Sequence, residues 1–92
     1  MVFALLGVHQ NKIDYVLNKI RGIGQKYVNK VHLVYGEYDI IAEIKAHNPE
    51  TSTSILKALR ETDGVNTLKT YVVSDQLTDE NLKEILPPEQ NW

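Results

Sequence analysis

The hydrophobic residues of this chain follow four patterns typical of β-strands. Val2 to Val8 is an uninterrupted apolar run, which favours a strand buried on both faces. Tyr27 to Tyr35 and Ile40 to His47 alternate between two faces, and Val65 to Val73 is rich in β-branched and aromatic residues. The sequence therefore predicts four strands.

Two stretches between these strands have the spacing of amphipathic helices. The first helix is predicted to start after Asn11 as its cap and to end at Gly22 and Gly24. Its apolar side chains recur at i, i+3, i+4 and i+7: Ile13, Val16, Leu17 and Ile20. The second helix is predicted to start at Asn48-Pro49, a cap followed by a proline, and to stop at Asp63-Gly64.

The resulting order β-α-β-β-α-β predicts a fold of the α+β class. Two β-α-β units with right-handed crossovers interleave into a four-stranded antiparallel sheet with both helices on one face, the ferredoxin-like arrangement. The other face is left bare, although the central first strand presents Phe3 and Leu5 there. We expect a second copy of the chain to cover it, giving a dimeric α/β barrel.

The last residues form a tail beyond the predicted domain. Residues 1–75 are interpreted as one domain, and residues 76–92 as a C-terminal tail with a short helix. Thr78 is predicted to cap that helix, Leu82, Ile85 and Leu86 form its apolar side, and Pro87 ends it. A helix of this length is too short to persist alone, so we expect it to dock onto its own or a neighbouring subunit.

Composition limits the chemistry that the chain can perform. It has 92 residues and no cysteine, which leaves no room for a separate DNA-reading domain and excludes disulfides and thiol chemistry. The first apolar run is too short for a signal peptide or a membrane span, so we expect a cytoplasmic protein without membrane contact.

The net charge of −2 hides an uneven distribution. Residues 1–36 carry five basic side chains and one acidic one, whereas the remainder carries five basic and eleven acidic ones. A neighbouring copy could neutralise this asymmetry, and the domain as a whole lacks the basicity of a nucleic-acid binder. RNA stacking is also disfavoured, because the predicted third strand has no aromatic residue.

Few side chains are arranged for metal binding or catalysis. The three histidines His9, His32 and His47 fall in different elements without a ligand at i+4, so we predict partly exposed histidines and no metal site. The hydroxyls at residues 51–54 suit the first turn of a helix. No catalytic residue and no cofactor are predicted.

The densest polar and aromatic cluster is the turn from Tyr35 to Asp39. One interpretation is an ordinary hairpin in which Gly36 has positive φ and Asp39 makes a local side-chain hydrogen bond. Another is recognition of a free amino acid, whose ammonium group Asp39 would hold while backbone N–H groups at Gly36 meet its carboxylate.

Two motifs in the chain resemble a known family. Residues 34–41, Val-Tyr-Gly-Glu-Tyr-Asp-Ile-Ile, and the later strand from Gly64 to Val73 are similar to the effector-binding (RAM) domain of the Lrp/AsnC, or feast/famine, transcriptional regulators. The resemblance covers about residues 2–75. Because the chain starts at the first strand, it resembles the stand-alone form that lacks the helix-turn-helix.

The resemblance implies a function that the composition does not. Members of this family form dimers through their sheets, assemble into octameric rings and bind amino-acid effectors between subunits without being enzymes. It implies a ligand site formed by Tyr35, Gly36, Tyr38, Asp39, Thr70 and Tyr71. It also implies a role by self-assembly or by co-assembly with a full-length regulator, with no direct contact to DNA.

Two other functions share this strand order. One is a small dimeric α+β barrel enzyme of the monooxygenase or isomerase kind, which would need His32 or Glu43 as a buried acid or base between sheet and helices. The other is a purely structural assembly partner with no ligand.

Overall fold

A computed structural model describes residues 1–73 of the chain. Its elements, in order, are β1 (Val2–Val8), a 3-10 turn (Gln10–Lys12), α1 (Ile13–Ile23), β2 (Val28–Leu33), β3 (Ile40–Ile44), α2 (Pro49–Arg60) and β4 (Val65–Val72). The predicted helix in the tail lies outside the described residues.

The four strands form one antiparallel sheet in the order β2-β3-β1-β4. β1 is central, with β3 on one side and β4 on the other. Ala4 faces Ala42 of β3 and Thr70 of β4 in this register, and Leu5 faces Ile41 and Lys69. The predicted ferredoxin-like α+β fold is therefore confirmed.

The hydrophobic core lies between one face of the sheet and the two helices. Its fully buried large side chains come from the sheet and both helices: Leu6, Val16, Ile20, Ile40, Ile44 and Leu59. Side chains alternate across a strand, so this face takes Val2, Ala4 and Leu6 and leaves Phe3 and Leu5 on the other. No helix in residues 1–73 is long and apolar enough to span a membrane.

The first helix starts differently from the prediction. Asn11 lies within the 3-10 turn, where the Lys12 amide donates to the His9 carbonyl at 2.8 Å, and no side chain caps α1. Gly22 is part of α1, and Gly24 alone ends it with a φ of 99° and an N–H bond to the Arg21 carbonyl. The backbone turn replaces the side-chain cap that the sequence suggested.

The second helix starts as predicted. The Asn48 Oδ1 atom accepts a hydrogen bond from the Thr51 amide at 2.8 Å, and Pro49 is the first helical residue. The cluster of hydroxyls at residues 51–54 therefore belongs to the first half of α2, in agreement with its structural interpretation.

Two strands are shorter than their alternating patterns. β2 starts at Val28 because the amides of Tyr27 and Val28 both donate to the Gly24 carbonyl, and it ends at Leu33. Tyr35 is consequently outside the strand and fully exposed. β3 ends at Ile44, before His47.

Candidate functional site

The side of the sheet that faces away from the helices is an open apolar surface. It holds a shallow depression of about 540 Å³ lined by Phe3, Leu5, His32, Leu33, Val34, Ile41 and Tyr71. The strand register places Ile41 beside Leu5 and Tyr71 beside Phe3. This surface is called the open face below.

A loop of residues 34–39 borders the open face between β2 and β3. The Val34 amide donates to the Asp39 carbonyl at 2.9 Å, and the Asp39 amide donates to the Leu6 carbonyl at 2.8 Å. Gly36 has a φ of 144°, in the region that favours glycine, as the hairpin interpretation predicted. The loop is therefore longer than a tight turn but is closed by backbone hydrogen bonds at its base.

The Asp39 side chain joins this loop to the end of the central strand. Its Oδ2 atom accepts a hydrogen bond from the Val8 amide at 2.8 Å. Val8 is only 6% exposed, so its N–H group would otherwise be a buried donor without a partner. Asp39 thus has a structural duty, and within residues 1–73 that bond engages only one of its two carboxylate oxygens.

A polar corner lies at the β4 side of the open face. Lys69 and Tyr71 are two residues apart on β4 and share a face, with the Lys69 Nζ atom 5.5 Å from the centre of the Tyr71 ring. The Tyr71 hydroxyl, with further contributions from Tyr38 and Glu37, raises the pKa of Lys69 above its ordinary value. A stable cation therefore stands beside apolar side chains and close to the loop.

A second polar group crosses from β2 to β3. The His32 Nε2 atom lies 2.8 Å from the Glu43 Oε2 atom, and the Asn29 amide donates to Glu43 Oε1 at 3.2 Å. The hydrogen bond with His32 lowers the pKa of Glu43, partial burial opposes this change, and the Asn29 hydrogen bond adds to it. Both strands present these side chains on the open face, since Glu43 is opposite Phe3 and His32 is opposite Ile41.

The structure brings some of the predicted site residues together and separates others. Tyr71 lines the open face, and Tyr38 and Asp39 are half-buried in the loop beside it. Thr70 points to the opposite side of the sheet, toward the helices, because neighbouring residues of a strand alternate. Tyr35 and Gly36 are exposed on the loop.

Sequence reasoning missed Lys69, the cation of the polar corner. The signal was present, since Lys69 is two positions before Tyr71 on a strand and must share its face. The enzyme alternative placed His32 or Glu43 between sheet and helices, and that placement is wrong. Within residues 1–73 every buried core residue is hydrophobic, and no cluster of side chains could hold a metal ion.

The fold and the open face define an α+β domain with one sheet face available for binding. Residues 1–82 match the family model described as the Lrp/AsnC ligand binding domain, and the chain belongs to this family. The resemblance predicted from the sequence is confirmed, and membership supports a role as the effector-binding module of a regulator. No curated protein gives a significant match.

Solved structures share the fold at low sequence identity. The crystal structure of FFRP-DM1 superposes with a TM-score of 0.72 at 20% identity, covering 79% of this chain and 96% of that chain. TTHA0845 from Thermus thermophilus gives 0.74 at 19% identity, covering 84% and 95%. The hypothetical protein PHS023 from Pyrococcus horikoshii gives 0.69 at 19% identity, covering 82% and 90%.

The Asp39 hydrogen bond predicts a graded loss of stability. Asp39→Ala leaves the buried Val8 amide unpaired, so we expect the free energy of unfolding to fall by about 1–3 kcal/mol. Asp39→Asn keeps an acceptor oxygen and should lose less. Urea denaturation at one fixed protein concentration measures both, with the exposed Glu37→Ala as control within about 0.5 kcal/mol of the wild type. Equal stability of the Asp39→Ala variant and the wild type would contradict the structural role.

The pair of His32 and Glu43 predicts a pH dependence. Because the folded-state pKa of Glu43 is lowered, its contribution to stability is present above the ordinary carboxyl pKa and disappears as the pH falls through the lowered value. In His32→Ala the pKa of Glu43 should rise, as measured by NMR titration of the side-chain carboxyl carbon. Lys30→Ala is the control and should cause a smaller rise, since Lys30 contributes least. An unchanged pKa in His32→Ala would refute the assignment.

Proposed function

We propose that this chain is an effector-binding module that takes a small amino acid between two copies of itself and modulates transcription through assembly. The open face supports self-association, because a contiguous apolar surface beside a polar rim is typical of an interface. Assembly of dimers into larger rings, or with a full-length Lrp/AsnC regulator, is part of the proposal, with no direct contact to DNA.

The polar corner beside the open face is the observation that carries the ligand proposal. A free amino acid needs a cation for its carboxylate, an anion for its ammonium group and an apolar surface for its side chain. Lys69 supplies the cation, and Phe3 and Leu5 lie next to it on the open face. Asp39 and Glu37 on the adjoining loop are the candidate anions.

The roles implied by the family resemblance change in one respect. The backbone at Gly36 was the expected carboxylate partner, whereas the Lys69 ammonium is a stronger partner on the same side of the sheet. Tyr38 and Tyr71 flank this ammonium and would line the ligand. Thr70 is left out of the proposed site, because it lies on the helix side.

Ligand binding can be tested by calorimetric titration with each common L-amino acid. We expect one or more to bind, and Lys69→Met to weaken binding by about 10-fold or more, the value of a lost charge-assisted hydrogen bond. Lys57→Met, an exposed lysine of α2, removes the same charge elsewhere and should leave the affinity unchanged. Absence of binding at millimolar amino acid would favour the structural assembly partner. Equal weakening by both variants would remove Lys69 from the site.

Assembly can be tested separately by light scattering. Ile41→Glu introduces a charge at the centre of the open face, where Ile41 is half-exposed in the single chain, so the fold should survive while the dimer dissociates. Ala58→Glu makes the same change at an exposed position of α2 and should leave the mass unchanged. Circular dichroism verifies the fold of both. A monomeric wild type, or a dimer that persists in Ile41→Glu, would contradict association through this face.

A further inference from the structure

A second apolar groove lies on the helix side of the sheet, away from the open face. It has a volume of about 470 Å³ and runs between the start of α2 and the ends of β1 and β4, with Val2, Thr53, Leu56 and Val72 among its lining residues. Val72 is opposite the buried Val2 and so belongs to the core side of the sheet, yet it is 78% exposed. The two helices therefore leave one end of the core uncovered.

The chain leaves the described structure at the rim of this groove. The Val73 amide donates to the Met1 carbonyl at 2.9 Å, and Met1 itself lines the groove and is 39% exposed. Residues 74–92 follow directly. A segment that starts at the rim is present at an effective concentration in the millimolar range, which favours it over a separate molecule.

We propose that the apolar side chains of this chain's own tail, Leu82, Ile85 and Leu86, occupy the groove. Their spacing places them on one side of a helix. Leu82 is nine positions after Val73, a length that reaches up to about 30 Å when extended, far more than the groove requires. The proposal is independent of the amino-acid site.

Charge also favours this occupant. Residues 74–92 carry five acidic side chains and one basic one. The groove borders the N-terminus of α2, where the helix dipole favours negative charge, and none of its lining residues is acidic. An acidic segment with one apolar side therefore matches the groove in both respects.

The absence of cysteine makes the proposal directly testable by cross-linking. We would place one cysteine at the rim of the groove with Thr53→Cys and one in the tail with Lys83→Cys, and treat the assembled protein with a short bismaleimide. The control pairs Lys83→Cys with Asn66→Cys, an exposed position at the other end of β4. We expect efficient cross-linking for the first pair and little for the second. Equal yields for both pairs, or none for either, would overturn the proposal.

Isotope mixing distinguishes a chain's own tail from that of a neighbour. Heavy and light chains of the Thr53→Cys, Lys83→Cys variant are unfolded together, refolded, cross-linked and digested. Mass spectrometry should find only heavy–heavy and light–light peptide pairs. Mixed pairs at the statistical proportion would mean that a second copy's tail fills the groove, which overturns the proposal.

Substitutions in the tail test whether the apolar side chains carry the contact. Changing Leu82, Ile85 and Leu86 together to serine should abolish the cross-link, whereas Asn81→Ser with Glu84→Ser should preserve it. None of these positions belongs to the described core, so folding of residues 1–73 is not at risk. An unchanged cross-link in the triple variant would contradict docking by the apolar side chains.

Discussion

The structure depends on the central position of β1 in a sheet that has helices on one side only. Successive residues of a strand point to opposite faces, so Ala4 and Leu6 enter the core while Phe3 and Leu5 remain on the open face. Both sets are apolar, and only one has helices to cover it. The strand that organises the core thus also creates the surface on which function is proposed.

The loop at residues 34–39 is tied to the same strand. Asp39 bonds to Leu6 through its backbone and to Val8 through its side chain, so the loop position follows from β1. A carboxylate that already accepts a backbone N–H keeps its charge but offers less to a ligand. Loss of binding in an Asp39→Ala variant would therefore mix structural and recognition effects, whereas Lys69, exposed on an ordered strand, reports on recognition alone.

Sequence periodicity was sufficient for the elements and their order, because each apolar stripe has a single face to bury. Local hydrogen bonds decided what it missed. Asn11 and Asn48 are the same residue type before a helix, yet only Asn48 caps, since a backbone bond from Lys12 to His9 forms a 3-10 turn first. For the site, proximity in sequence grouped Thr70 with Tyr71, although strand alternation separates them and instead unites Tyr71 with Lys69.

The shallow shape of the open face links the proposed ligand to assembly. In a single chain, Lys69 is exposed, and an ion pair in water contributes little to affinity. A second copy on the open face would exclude water and lower the local dielectric constant, so the same ion pair becomes much stronger. Ligand affinity and association then share one coupling free energy: an amino acid that binds better between two copies must favour the dimer by the same factor.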